Sequence, residues 1–218
     1  MNPKAIVEAL SLDYGMPRLQ PSRDALAELV LTVLSQNTSD ANSGRAFIAL
    51  MSRYSSWDDV MKAPEDELVE TIRTGGLAQQ KAPRIQAILR DIKDRGWGWG
   101  LEPLAALPVS EAEAWLTGLP GVGPKTAACV LLFGLGRAAL PVDTHVARVA
   151  QRLGLVSPRT SAIRIQALLT ELVEPALFYS FHMLLIKHGR RTCKARRPLC
   201  DRCRLVEACP AAEAPPAP

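Results

Sequence analysis

Leu119-Pro120-Gly121-Val122-Gly123-Pro124-Lys125-Thr126-Ala127 is the stretch on which the reading of this chain turns. Two glycines flank one apolar residue, and an apolar helical run starts directly after them at Pro124. Proline suits the first helical turn, where a missing N–H costs nothing. Gly121 and Gly123 permit positive φ and let a ligand approach the backbone closely. The N–H groups left free at the turn and helix start form an anion site, aided by the helix dipole. A DNA phosphate fits, because backbone donors hold it without reading sequence. Gly-x-Gly alone is equally compatible with an ordinary helix connection. The complete string between two helices is far more specific and predicts a helix–hairpin–helix element with Gly121, Val122 and Gly123 at the phosphate.

Lys125 stands in the first turn of the second helix. The positive dipole end disfavours a cation there, and burial against DNA adds to that effect. Both favour the neutral amine, the nucleophilic form. The hairpin alone leaves two readings open, a phosphate-binding lysine and a nucleophile. Pro141-Val142-Asp143-Thr144-His145-Val146-Ala147-Arg148-Val149 weighs toward the second. It puts a carboxylate, Asp143, at the entrance of the next helix. That residue is a natural N-cap and can also stabilise a developing sugar cation, as carboxylates do in glycoside chemistry. The roles are compatible, because a cap fixes the carboxylate in place.

Outward from these motifs the pattern is helical almost throughout. Ala25, Leu26, Leu29, Val30, Val33 and Leu34 recur at helical period, with Ser22 as the expected N-cap. Ala46, Phe47, Leu50 and Met51 form a second stripe, and Leu68, Val69 and Ile72 a third that runs into Gly75-Gly76, a stop signal. Ile85, Ile88, Leu89 and Ile92 form a fourth, ending before Gly96. Ser110 with Glu113 reads as a capping box. Pro124 to Leu135, Thr144 to Leu153, Ile163 to Val173 and Pro175 to His188 read as further helices. Hydrophobic residues make up 48% of the chain and aromatics only 5%, so the core is built from Leu, Val, Ile and Ala, which favours helices. No run alternates as a strand does, and the expected fold class is all-α. The longest apolar run, Ala127 to Leu135, is far short of the roughly 20 residues a bilayer helix needs. Neither a membrane span nor a signal-peptide core is read, and a soluble, cytoplasmic, nucleoid-associated protein is expected.

The formal charge is +4, but it is unevenly spread. Lys187 to Arg204 holds eight basic residues and one acid, Asp201, so this segment carries +7 and the remainder −3. Such a patch suggests a polyanionic partner, although charge runs are most often simply solvated. Six acids between Asp58 and Glu70 mark a face expected to point away from DNA. The tryptophans of Gly96-Trp97-Gly98-Trp99-Gly100 could stack on bases, but covering the core from a turn is the favoured reading. Cys193, Cys200, Cys203 and Cys209 follow an x6/x2/x5 spacing. Four thiolates in one short loop hold tetrahedral zinc or an iron–sulfur cluster, and metal chemistry alone does not choose. Cys129 reads as a core residue. His145, His182 and His188 lack partners at metal spacing and are expected to pack or hydrogen-bond, the last two supporting the cysteine loop.

Leu119 to Ala127, then Val142-Asp143-Thr144-His145, then four cysteines, resemble the endonuclease III family of helix–hairpin–helix DNA glycosylases over about Ala25 to Cys209. The resemblance implies a two-lobed architecture. A six-helix lobe would span 20–137, a second lobe would join 1–19 to 138–210, and a tail, 211–218, would be disordered. It implies that Lys125 attacks the sugar C1′ with help from Asp143, giving glycosylase and lyase activity together on oxidised pyrimidines. It also implies a [4Fe–4S] cluster on Cys193, Cys200, Cys203 and Cys209, because the spacing matches the family's cluster loop. Lys194, Arg196 and Arg197 within that loop would meet the phosphate backbone. A flipped nucleotide leaves a gap that must be filled. The family's plugging glutamine aligns with Asn37, with Gln36 one position earlier, and Leu77 after Gly75-Gly76 matches the intercalating wedge. The expected partner is double-stranded DNA with a damaged base or abasic site, bound by a monomer away from membranes. A uracil or mismatch glycosylase with weak lyase action, and a non-catalytic DNA-binding module, are the alternatives.

Overall fold

The structure, a computed structural model, describes residues 1–213. All regular structure among them is helical. The chain divides into two compact units, one continuous over Pro21–Arg137 and one joining Met1–Gln20 to the chain from Ala138 onward. The split unit opens with α1 (Pro3–Tyr14). The continuous unit holds α2 (Ala25–Ser35), α3 (Asp40–Arg53), α4 (Trp57–Lys62), α5 (Glu65–Thr71), α6 (Ala78–Asp94), α7 (Val109–Thr117) and α8 (Pro124–Cys129). The split unit resumes with α9 (Thr144–Arg152), α10 (Ala162–Leu172), α11 (Phe178–Arg191) and α12 (Pro210–Glu213). No single helix among the described residues is long and apolar enough to cross a membrane.

In the continuous unit α2 is the central element, packed on α3, α6, α8 and the segment after α8. Its sequence explains this: Leu26, Leu29, Val30, Val33 and Leu34 are all buried, so no broad face is left for water. Each such side chain contributes about 1.5–3 kcal/mol on burial. After α8 the backbone widens into a π turn, Val130–Gly134. Its trailing carbonyls are satisfied by the unit's own start, Ser22 N–H donating to Phe133 O at 2.9 Å and Arg23 N–H to Gly134 O at 3.1 Å. Gly134 is needed there, since a Cβ would stand 3.0 Å from the Ala25 Cα.

Several local expectations are corrected. Ser22 does not cap α2; the Asp24 carboxylate, directly before the helix, accepts from Ala27 N–H at 2.8 Å. The Ser110–Glu113 box does not form, because α7 already begins at Val109 behind Pro108 and Ser110 lies inside its first turn. Within the continuous unit the six-residue α4 is separated from α5 by Ala63-Pro64 and is too short to display a period. At the chain end Ala211 to Glu213 are helical in α12, behind Pro210 whose fixed φ suits a helix start; the rest of the expected disordered tail, 214–218, lies outside the described residues.

The core of the split unit is formed by Ile6 and Leu10 of α1, Val146 and Val149 of α9, Leu169 of α10 and Phe181, Leu184 and Leu185 of α11. Cys193, Cys203 and Cys209 pack against its edge, so the cysteine loop sits directly on this core.

Candidate active site and cysteine loop

The hairpin lies between α7 and α8. Gly118 ends α7, Val122 N–H closes the turn on Leu119 O at 3.2 Å, and Gly121 adopts φ +70°. Val122 drops its side chain into the core, 5% exposed, while Gly121 and Gly123 stay at the surface. No backbone carbonyl among the described residues accepts from the N–H groups of Gly121, Gly123 or Lys125. Three donors therefore remain for an outside acceptor, as the motif requires.

Lys125 is half-buried, two residues into the helix from its cap Gly123. Within electrostatic reach lies Glu28 of α2, a carboxylate that interrupts the apolar stripe and that sequence reading passed over. Burial raises the Glu28 pKa, while a hydrogen bond from Thr32 and the charge of Lys125 draw it back down.

Helix α6 supplies Lys81, which with Ala82 follows Leu77 in the segment that resembles the wedge turn, and Arg84, which the sequence reading did not single out. Lys81 is 2% exposed, and its Nζ donates to Leu34 O at 2.6 Å and to Gly75 O at 2.8 Å. Burial, then the charge of Arg84, pushes its pKa down. Lys81 thus ties the end of α2 to the turn that carries Leu77. Leu77 is 47% exposed and sits in the left-handed region, φ +50°. Asn37, exposed after α2, also has φ +54°. Left-handed backbone is a genuine outlier for leucine, so the surroundings hold it there. Gln36 is half-buried, and its side-chain oxygen accepts from Arg84 Nη1 at 2.9 Å.

In the split unit Asp143 is the N-cap of α9, accepting from Val146 N–H at 2.8 Å. His182, buried on α11, bonds Pro141 O at 2.8 Å and so anchors the segment ahead of Asp143. His188 does support the loop, with Nε2 3.6 Å from Cys203 Sγ and Nδ1 3.2 Å from the Tyr14 hydroxyl. His145 meets the Arg148 guanidinium at 3.0 Å, and Arg148 Nη2 also donates to Gly189 O at 2.9 Å.

Cys193, Cys200, Cys203 and Cys209 all line one cavity of about 810 Å³. Among the described residues no three metal-binding side chains converge on a single-ion site. Arg152 Nη1 reaches Cys193 Sγ at 3.3 Å and pins the loop through Lys194 O at 2.7 Å. Burial raises the Cys203 pKa, and the other three cysteines raise it further against a hydrogen bond from Leu205. Lys194, Arg196 and Arg197 are exposed, with no carboxylate partner among the described residues. Arg204, by contrast, is paired with Asp13 at 2.7 Å.

The other marked features are structural. Trp97 stacks on Trp115 with ring centroids 4.5 Å apart, and Trp99 donates to Asp58 at 2.7 Å, so the tryptophan loop is packed. Glu67 of the acidic run pairs with Arg53 at 2.9 Å. Cys129 is buried in α8.

The chain matches the HhH-GPD superfamily of base excision DNA repair proteins over residues 30–175. Endonuclease III of Thermotoga maritima is 37% identical over 193 residues, 88% of this chain and 86% of that protein. A candidate DNA glycosylase of Arabidopsis thaliana is 37% identical over 185 residues, 85% of this chain but 60% of that longer protein. A solved trapped covalent intermediate of endonuclease III with DNA superposes with a TM-score of 0.82 at 28% identity, covering 97% of both chains. The hairpin, the helical units and these likenesses agree: the chain belongs to the HhH-GPD superfamily of base excision DNA repair proteins and, within it, to the endonuclease III family.

Proposed function

We propose that this base excision DNA glycosylase and lyase excises oxidised pyrimidines from duplex DNA through Lys125 and Asp143, acting as a cytoplasmic monomer. The observation that carries the reading is Lys125 in the first turn behind a hairpin whose three N–H donors await an acceptor. The hairpin grips a phosphate, which brings the sugar of a flipped nucleotide to the amine. The neutral Lys125 Nζ attacks C1′; the C1′–N bond to the base breaks, and the base leaves with the electron pair and takes up a proton. The C1′–O4′ bond of the ring then opens, O4′ taking the proton that Nζ gives up, and the resulting imine acidifies C2′. Loss of a C2′ proton and departure of the 3′ phosphate cut the strand, and water frees the lysine. Asp143, held by its cap bond, places a negative charge that favours positive charge on the sugar.

Asn37 and Leu77 are read as the residues that meet the gap and its neighbours. The left-handed backbone at Asn37 and Leu77 supports this, since strain of that kind clusters at functional sites. Cys193, Cys200, Cys203 and Cys209 are read as the ligands of a [4Fe–4S] cluster. Their places around one shared cavity and their x6/x2/x5 spacing support this reading. When bound, such a cluster supplies positive iron to four thiolates and cross-links the loop that displays Lys194, Arg196 and Arg197.

Borohydride trapping tests the central assignment. A duplex with one oxidised pyrimidine should give a covalent protein–DNA band with wild type and almost none with Lys125→Gln, while the variant still binds DNA. Cross-linking by Lys125→Gln at the wild-type level would show another amine to be the nucleophile. Asp143→Asn keeps a cap, so base release should fall while trapping on a pre-formed abasic site is less affected. Uracil and mismatch duplexes in the same assay decide the lesion class.

A further inference from the structure

Lys81 and Arg84 stand one turn apart on α6, yet their surroundings differ. Lys81 is enclosed by carbonyls. Arg84 is half-buried and meets Gln36 Oε1 at 2.9 Å through Nη1. Its Nε and Cδ lie where a side chain on Gly121 would begin, 2.7 and 2.8 Å from the position of a Cβ. The guanidinium stem therefore rests on the hairpin backbone, where a Cβ would displace it, and the Gly121 φ of +70° itself favours glycine. No carboxylate among the described residues pairs with Arg84. A guanidinium has five N–H donors in a planar fork suited to phosphate oxygens, and Gln36 accounts for one.

We infer that Arg84 is a DNA-phosphate ligand of the hairpin, and that Gln36 is the positioning residue that aims it rather than a gap-filling residue. The inference rests on the DNA-binding reading of the hairpin and is independent of the role of Lys125. Three facts converge. The cation lacks a carboxylate partner, it is seated on the turn whose N–H groups have no backbone acceptor, and a side-chain amide holds it. Gln36 is thereby tied to α6, which leaves Asn37, exposed and in left-handed backbone, as the residue nearest the expected gap.

Salt titration of binding tests this with the full-length, cluster-loaded protein on an undamaged duplex and on one carrying a tetrahydrofuran abasic analogue. Each neutralised phosphate contributes a slope of about 0.9 in log K against log salt. Arg84→Ala should lower the slope by that amount on both duplexes. Its affinity deficit relative to wild type should then shrink about 3.5-fold between roughly 50 and 200 mM salt. Arg84→Lys should keep the slope, and Gln36→Ala should weaken binding with the slope kept. Should Arg84→Ala prove unstable in a melt, Arg84→Gln removes the charge at similar length and should show the same slope change. An unchanged slope in both neutral variants overturns the inference, as does a deficit that depends on the base opposite the lesion. Wild type that fails to bind duplex would instead remove the hairpin reading. A failure of the nucleophile assignment is read separately, by borohydride trapping with Lys125→Gln.

Discussion

Lys81→Met removes an ammonium on which two buried carbonyls depend while leaving a side chain of similar length. Leu34 O lies in the last turn of α2, and Gly75 O ends the turn before Leu77; Lys81 Nζ reaches them at 2.6 and 2.8 Å. Orphaning a buried carbonyl costs about 1–3 kcal/mol, so two cost about 2–6 kcal/mol. Relief from burying the ammonium works in the opposite direction, and methionine regains some packing. We expect a net loss of about 2–3 kcal/mol, or roughly 5–10 °C in Tm for a chain of this size. The same change should release the Leu77 turn from α2 and weaken binding to an abasic-analogue duplex more than to undamaged DNA, because the wedge matters only where the stack is opened. Thermal unfolding of the cluster-loaded protein reads the first effect and paired titrations the second. A variant as stable as wild type would show that the ammonium's desolvation outweighs its two bonds. Equal weakening on both duplexes would show that the latch does not govern the wedge.

Purified protein should be yellow-brown with about four iron atoms per chain; one zinc and no iron would refute the cluster, and Cys200→Ala should yield little soluble protein. Replacing Lys194, Arg196 and Arg197 together by Ala should lower the salt slope of DNA binding by about one for each phosphate no longer neutralised, without altering lesion preference; an unchanged slope would place the loop in solvent. Glu28 has a raised pKa in the folded state, so the folded protein holds its proton more tightly than the unfolded chain and burying the carboxylate lowers stability as pH rises through the carboxylate range. Glu28→Gln should therefore raise Tm at neutral pH, and the gain should vanish in acid, where the glutamate is neutral in both states; a gain independent of pH would point to packing instead.

The hairpin, the Asp143 cap and the cysteine spacing were legible in the sequence because each is a local device. A Gly-x-Gly turn, a carboxylate before a helix and ligands within one loop are set by neighbours a few residues apart, and short-range sterics and hydrogen bonding fix their form. The same locality explains where reading failed. Ser22 and Ser110 are good capping residues, but Asp24 stands closer to its helix and α7 starts behind Pro108, so a competing neighbour took each end. The sequence by itself therefore determined the all-helical class, the order of the motifs, and the lysine, aspartate and cysteines proposed for the chemistry. The contacts of Lys81, Arg84 and Glu28 were decided by the tertiary structure alone. Lys81 meets Leu34 across 47 residues and Arg84 meets Gln36 across 48. A charged residue on a helix carries no local mark of whether it will face water or be buried. That depends on which helix packs against it, a matter of distant apolar packing and close backbone approach such as Gly134 on Ala25.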